Sequence, residues 1–141
     1  RRRQRAPLRG PQRRMSVPAL VDALDRADFE AAAALIAPDA IYEKDGETIT
    51  GASAIVASYR ASHERATSTL DRIVYRSSCR EIGAGTFRVA FEDHIELDGR
   101  AHCFRCEQDM SVGPSKLVER IVHRELDGER AALEVFLSKR L

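Results

Sequence analysis

The spacing of hydrophobic positions changes about halfway along the chain. Up to residue 66, apolar residues recur every three or four positions, which predicts amphipathic helices. Ser16 and Asp28 are suitable N-caps for the first and second of these helices, and a third helix is predicted from about Ala52 to Ala66. Between the second and the third helix, the segment "AIYE" predicts a short strand, which ends at an Asp45-Gly46 turn signal. The segment "APDA", which overlaps the start of this strand, predicts a turn.

Beyond residue 70 the apolar residues alternate with polar ones, which predicts β-strands. Gly-containing turns divide this half into four strands, at about 70–82, 86–97, 100–112 and 116–126. A short amphipathic segment, "ERAALEVFLSKRL", predicts a final helix. The order of helices followed by antiparallel strands predicts an α+β fold.

The Asp98-Gly99 dipeptide sets the register of the central hairpin. Asp-Gly favours a two-residue type I′ turn, which pairs Leu97 with Arg100. One face of the hairpin is then mainly apolar, with Asp93 opposite Phe104. The other face carries cross-strand pairs of opposite charge, which are Glu92 with Arg105 and Arg88 with Asp109. A shift by one residue would destroy both patterns, so Asp93 is predicted on the inner face.

The first and the last of the four predicted strands are less well defined. If Ile82 lies inside, strict alternation turns Ile73 and Tyr75 outward, and a bulge near Ser77-Ser78 would restore them. The last strand has apolar residues on both faces, so the sequence leaves open which face, and whether His123, points inward.

The charge of the chain is unevenly distributed. The net charge is +1, and residues 1–14 contain seven arginines and no acid, so subtracting seven leaves −6 for the remainder. Residues 1–15 are therefore predicted to be a basic disordered tail, and residues 16–141 a single domain. An acidic domain is a poor surface for nucleic acid, so nucleic-acid binding is not predicted.

The cysteine count and the hydropathy further restrict the class of protein. Three cysteines do not suggest a disulfide framework, which predicts a cytoplasmic location. No stretch approaches the roughly 18 apolar residues of a membrane span. Cys103 and Cys106 would point to opposite faces of one strand, and the histidines are scattered, so neither a metal nor a cofactor is predicted.

Two segments resemble a known superfamily. "ADFEAAAALIAPDAIYE" and "ITGASAIVASYR" are similar to the helix–strand and helix-entry segments of the nuclear transport factor 2-like, or SnoaL-like, proteins, over residues 16–141. The resemblance implies a cone-shaped, curved antiparallel sheet wrapped around the N-terminal helices, and a homodimer. The superfamily includes ketosteroid isomerase, polyketide cyclases, dehydratases and binding-only domains. Lys44 occupies the position of the isomerase's catalytic aspartate, so that base is not transferred.

Asp93 is the main candidate for chemistry. A buried carboxylate needs a partner or a cavity, so Asp93 either lines a pocket or is a structural acid held by Arg76, Tyr75 or His102. His102 is its diagonal neighbour and the candidate for an acid–base pair, although it could equally be a solvated residue near the strand end. The other residues predicted to line the pocket are Tyr42, Tyr59, His63, Tyr75, Phe91, Phe104 and Cys106.

Two functions are consistent with this pocket. One is a cyclase, isomerase or dehydratase that acts on a small apolar carbonyl compound, with Asp93 and His102 as catalytic residues and a tyrosine as hydrogen-bond donor. The alternative is a non-catalytic ligand-binding or dimerisation module of the same fold. A complete set of acid, base and donor would distinguish the first from the second.

Overall fold

A computed structural model describes residues 16–139, and the predicted tail, residues 1–15, lies outside this range. Within residues 16–139, ten helices and strands follow one another. In order they are α1 (Ser16–Asp25), α2 (Phe29–Ala33), β1 (Ile36–Lys44), β2 (Glu47–Thr50), α3 (Ala52–Thr69), β3 (Arg72–Gly83), β4 (Thr86–Leu97), β5 (Arg100–Val112), β6 (Val118–Glu125) and α4 (Glu129–Ser138).

All six strands form one curved, unclosed sheet in the order β2-β1-β6-β5-β4-β3. The predicted α+β class is confirmed, but the sheet is mixed and not purely antiparallel. β1 returns beside the last strand and pairs with β6 in parallel, with Tyr42 opposite Ile121. All other neighbouring strands are antiparallel.

The β4–β5 hairpin has the predicted register. Leu97 pairs with Arg100 and Asp93 with Phe104. Asp98 and Gly99 both have positive φ angles, 53° and 75°, as a type I′ turn requires. On the outer face, Arg88 donates two hydrogen bonds to Asp109, of 2.9 and 3.1 Å. The turn and the charge pairs therefore agree, and they turn Asp93 toward the helices.

The predicted bulge in β3 is in a different place. The pairing with β4 is regular from Arg72 to Glu81, and the shift occurs between Glu81 and Gly83. Ile73 and Tyr75 therefore face inward without any bulge at Ser77-Ser78, while Ile82 remains 39% exposed. The single apolar residue Ile82 misled the prediction, because an edge strand tolerates an exposed isoleucine next to a turn.

The first strand is longer than predicted. It begins at Ile36 and includes Pro38, where a turn was expected. The pairing with β6 is irregular between Ile36 and Ile41, so proline falls where the ladder is interrupted and its missing N–H costs little. The hairpin partner β2, which the sequence did not predict, follows the Asp45-Gly46 turn.

The helices cover the inner face of the sheet in two places. α1, α2 and α3 pack with the sheet into the main core, whose fully buried members include Leu20, Ile55, Met110 and Ile121. At the other end, Phe136 of α4 forms a smaller cluster with Ile95 and Leu97. No helix within residues 16–139 is long and apolar enough to cross a membrane.

Candidate functional site

A cavity of about 300 Å³ opens on the inner face of the sheet between the helices. It brings together Asp93 and the seven residues predicted to line the pocket. Its other lining residues are Leu24, Asp25, Phe29, Lys44, Ser62, Arg65, Gln108, His123, Arg130 and Leu133. A second cavity of about 270 Å³ shares Arg65, Asp93, Phe104 and Leu133 with the first, so Asp93 lies where the two meet.

Asp93 is placed on the cavity wall by β4, opposite Phe104 on β5 and Tyr75 on β3. Its carboxyl group makes no hydrogen bond or ion pair with any residue in the described range 16–139. Burial and, to a lesser extent, the nearby Asp25 carboxylate raise the pKa of Asp93 to about 6. The structural-acid alternative requires a partner, and neither Arg76, Tyr75 nor His102 supplies one.

Asp25 is the second carboxyl group of the cavity. It is the last residue of α1, and it accepts a hydrogen bond from the Ser77 hydroxyl on β3. Burial raises the pKa of Asp25, while the Ser77 hydrogen bond opposes that change. Two acidic groups thus line one cavity, and the charge of Asp25 disfavours ionisation of Asp93.

His63 and Tyr75 form a pair across the cavity. The His63 Nδ1 atom lies 2.8 Å from the Tyr75 hydroxyl, which links α3 to β3. The pKa of Tyr75 is raised to about 12 by burial and by the charge of Asp93. Tyr75 is therefore protonated at neutral pH and its hydroxyl can donate to His63, which fixes the orientation of the imidazole ring.

Gln108 is the centre of a hydrogen-bond network on the opposite wall. Its Oε1 accepts a 2.6 Å hydrogen bond from the Tyr59 hydroxyl, and its Nε2 donates to the Tyr42 hydroxyl at 3.0 Å. The same Nε2 lies 3.3 Å from His123 Nδ1. Because Tyr42 accepts from Gln108 and no acceptor for its own proton is found within residues 16–139, that proton remains available to a ligand.

His123 is oriented from both sides. Its Nε2 lies 2.9 Å from Glu125, which is also bound by Arg130 at 3.2 Å. A hydrogen bond to each ring nitrogen fixes the tautomer with a proton on Nε2 and a lone pair on Nδ1. The pairing of Met110 with Ile121 turns this side of β6 inward, which answers the question that the sequence left open.

His102 lies away from Asp93. It is on the inner face, as expected from its pairing with Ile95, but its ring stacks on Phe136 of α4 at 5.1 Å. Its Nε2 is buried without a hydrogen-bond partner, and His102 lines neither of the two cavities that contain Asp93. The predicted Asp93–His102 pair is therefore absent from the site, because α4 fills the space between the hairpin end and the cavity.

Sequence reasoning did not place seven polar residues in the cavity, among them Gln108, Asp25 and His123. Gln108 could have been found, because the correct hairpin register already placed it inside, opposite Val89. Asp25 follows the apolar stripe of α1 and had a weaker signal. For His123 the sequence left the direction open, since it depends on how β6 pairs with β5.

The wall therefore offers one unpaired carboxyl group and one free phenolic proton in apolar surroundings. Such a set can take a proton from a carbon acid and stabilise the oxygen that becomes negative. Within residues 16–139, the only group of three metal-ligating side chains lies on the outer face of the sheet, away from the cavity.

Comparison with known proteins agrees with this architecture. A family model of the SnoaL-like domain matches residues 17–105, whereas a comparison with curated proteins gave no match. The fold is similar to an LEH-like epoxide hydrolase from Mycobacterium tuberculosis, with a TM-score of 0.64 and 17% identity over 92% of this chain and 91% of that one.

Two further solved structures are similar. A second M. tuberculosis protein, in complex with estradiol-17β-hemisuccinate, has a TM-score of 0.58 and 18% identity over 82% of this chain and 94% of that one. A nuclear transport factor 2-like protein of unknown function from Exiguobacterium sp. 255-15 has a TM-score of 0.62 and 11% identity over 79% and 98%. At these identities the similarity concerns the fold alone, and the predicted fold is confirmed.

Proposed function

The chain belongs to the SnoaL-like family, and from that premise we propose that it binds a small, largely apolar carbonyl compound and moves a proton on it with Asp93. The observation that carries this proposal is the unpaired Asp93 carboxyl group on the wall of an apolar cavity. A fold keeps an unpaired buried carboxyl group at a cost to its stability, which a ligand-binding role explains.

The ligand class follows from the lining. Apolar and aromatic side chains form most of the wall, and the two cavities that meet at Asp93 together suit a compound of two or more rings. Lys44 and Arg65 add positive charge to the lining, which favours a ligand with an oxygen-rich or anionic end. The similar protein bound to estradiol-17β-hemisuccinate, a ring compound of this kind, supports the same class.

The reaction is a proton transfer next to a carbonyl group. Above pH 6 the ionised Asp93 takes a proton from the carbon beside the carbonyl, and the Tyr42 hydroxyl donates a hydrogen bond to the oxygen that becomes negative. In a β,γ-unsaturated ketone, Asp93 returns the proton to the γ-carbon of the dienolate, which moves the double bond. In a β-hydroxy ketone, Asp93 gives the proton to the β-hydroxyl group as its C–O bond breaks, and water leaves as the new double bond forms.

A non-catalytic binding module is the second candidate. The observation in its favour is that the Tyr59 and Tyr75 hydroxyls are already engaged, with Gln108 and His63. Of the three tyrosines, only Tyr42 keeps a hydroxyl proton that no residue within 16–139 accepts, so catalysis rests on this hydroxyl and the Asp93 carboxyl group.

Deuterium exchange distinguishes the two candidates. A panel of cyclic ketones, including steroid ketones, is first tested for binding by ligand-observed NMR, and each binder is then incubated with the protein in D₂O. Catalysis predicts deuterium at the carbon next to the carbonyl, with a loss of about 10²–10⁴-fold in Asp93→Asn. Binding should persist in that variant.

The matched control is Asp39→Asn, which changes an exposed carboxylate of β1 and should leave exchange unaltered. Binding without exchange in the wild-type protein would establish the binding module. The absence of any binder from the panel would contradict the proposed ligand class.

A further inference from the structure

Three side chains with metal-binding atoms converge on the outer face of the β4–β5 hairpin. Glu92 and His94 are two residues apart on β4 and therefore point to the same side, and Cys103 on β5 lies directly opposite His94. This is the face turned away from the Asp93 cavity, and none of the three residues lines that cavity.

The distances among these side chains are close to those around a bound ion. His94 Nε2 lies 3.0 Å from Glu92 Oε1 and 3.9 Å from Cys103 Sγ, and the three ligand atoms all fall within 4.8 Å of one another. Zinc bonds of about 2.0 Å to nitrogen and oxygen and about 2.3 Å to sulfur place the tetrahedral ligand atoms of such a set roughly 3.3–3.5 Å apart. Small side-chain rotations would therefore suffice to seat an ion.

The surroundings orient the carboxylate. Arg105 Nε lies 3.4 Å from Glu92 Oε2, the oxygen that does not contact His94, so Oε1 remains directed at the histidine. The backbone N–H of Arg105 donates in turn to Glu129 at the start of α4, which fixes this part of β5. Hydrogen bonds to the outer atoms of a ligating carboxylate are typical of built metal sites.

We propose that Glu92, His94 and Cys103 form a binding site for Zn²⁺, with water as the fourth ligand. A set of one sulfur, one nitrogen and one oxygen donor suits a borderline-soft ion such as zinc, whereas Mg²⁺ and Ca²⁺ prefer oxygen alone. The paired strands hold all three ligands, because the hairpin register sets which residues share a face. The site is independent of the proton transfer proposed for the cavity.

Zinc competition tests the proposal on the reduced chain comprising residues 1–141. The purified protein is titrated with Zn²⁺ in the presence of a chromogenic chelator, which reports the ions that the protein retains. We expect one ion per chain, with affinity reduced at least about tenfold in both Cys103→Ser and His94→Gln. Cys79→Ser is the matched control, because Cys79 lies on the inner face of β3 and should not alter retention.

Cobalt provides a second readout that reports the ligands directly. Co²⁺ bound by a thiolate gives a charge-transfer absorption, which should appear in the wild-type protein and in Cys79→Ser but not in Cys103→Ser. Circular dichroism checks that each variant is folded, and the half-exposed positions of His94 and Cys103 make folding defects small. The proposal is wrong if the wild-type chain retains no zinc, or if Cys103→Ser retains as much zinc as the wild type. In either case the cluster is only a His–Glu pair on the surface.

Discussion

Asp93 is a carboxyl group that the fold withdraws from water without giving it a partner. Its pKa rises from an ordinary 3.8 to about 6, so the folded protein binds a proton that the unfolded chain releases between these two values. Stability from this group is therefore fully present below pH 4 and is lost as the pH rises through 6. A shift of about two pKa units corresponds to at most about 3 kcal/mol.

Asp93→Asn should remove that loss. We expect the variant and the wild type to have similar free energies of unfolding at pH 4, and the variant to be more stable by about 1–3 kcal/mol at pH 7. Urea denaturation at both pH values measures the difference, with Asp39→Asn as control. A variant less stable than the wild type at pH 7 would mean that Asp93 is a structural acid.

A substitution of Gln108 should have the opposite effect to one of Asp93, because both the oxygen and the nitrogen of the Gln108 side-chain amide are hydrogen-bonded. Gln108→Leu would leave the Tyr59 and Tyr42 hydroxyls without their partner in a buried site, and we expect a loss of about 2–4 kcal/mol by chemical denaturation. Removing the Tyr59 hydroxyl as well, in Gln108→Leu/Tyr59→Phe, should recover part of that loss. Strictly additive effects of the two changes would show that the network is not coupled.

For single residues, the sequence predicted which way a side chain points where the turn type and the alternation along a strand decide it. Asp93 and the aromatic lining follow from one Asp-Gly turn and strict alternation along β4 and β5. His102 obeyed the same alternation, yet its surroundings depend on a helix more than 25 residues away in sequence. Long-range packing of that kind leaves no signal in the neighbouring residues.

Among the elements, α4 is the one whose role the sequence did not reveal. Its Phe136 is 8% exposed and packs on the end of the β4–β5 hairpin, where Arg100 stacks on the ring and also donates to the Phe136 carbonyl. Arg130 and Leu133 of the same helix line the main cavity. The helix therefore joins one wall of the site to the hairpin that carries Asp93.

Phe136→Ala should cost about 3 kcal/mol, because it deletes most of a buried aromatic side chain. The matched control is Val135→Ala on the same helix, where the side chain is 53% exposed and the change should stay within about 0.5 kcal/mol. Thermal and urea denaturation provide the measurement. Equal effects of the two substitutions would indicate that α4 does not dock as described.

The strands were predicted well where a turn defined them and poorly elsewhere. β4 and β5 were predicted with their observed limits, whereas the bulge of β3 was misplaced and β2 was missed. The segment around Pro38 was interpreted as a turn, because the parallel strand that accommodates this proline lies about 80 residues later. Turn chemistry is local, and the pairing of distant strands is not.

For the whole molecule, association remains a prediction. The outer face of the sheet carries the half-buried Ala90, Cys103 and Val122 among paired charges, which predicts a homodimer through this face. Sedimentation at micromolar concentration, with a chelator to exclude metal-driven association, should give about twice the chain mass of 15.7 kDa. Ala90→Asp should shift the protein toward the monomer, and a wild-type monomer under these conditions would contradict the prediction.

The parallel pairing of β1 with β6 has a consequence for the order of folding. β3 to β6 can form one after another, since each strand pairs with the next along the chain, but β1 has only the short β2 as a local partner. Bringing β1 and β6 together closes a long loop, and the entropy cost of that closure slows their pairing. The antiparallel strands β3 to β6 should therefore fold first, and β1 should dock last. On a ribosome, β1 emerges well before β6 and has only β2 as a partner until β6 is made, which makes it the segment that most needs protection from other chains.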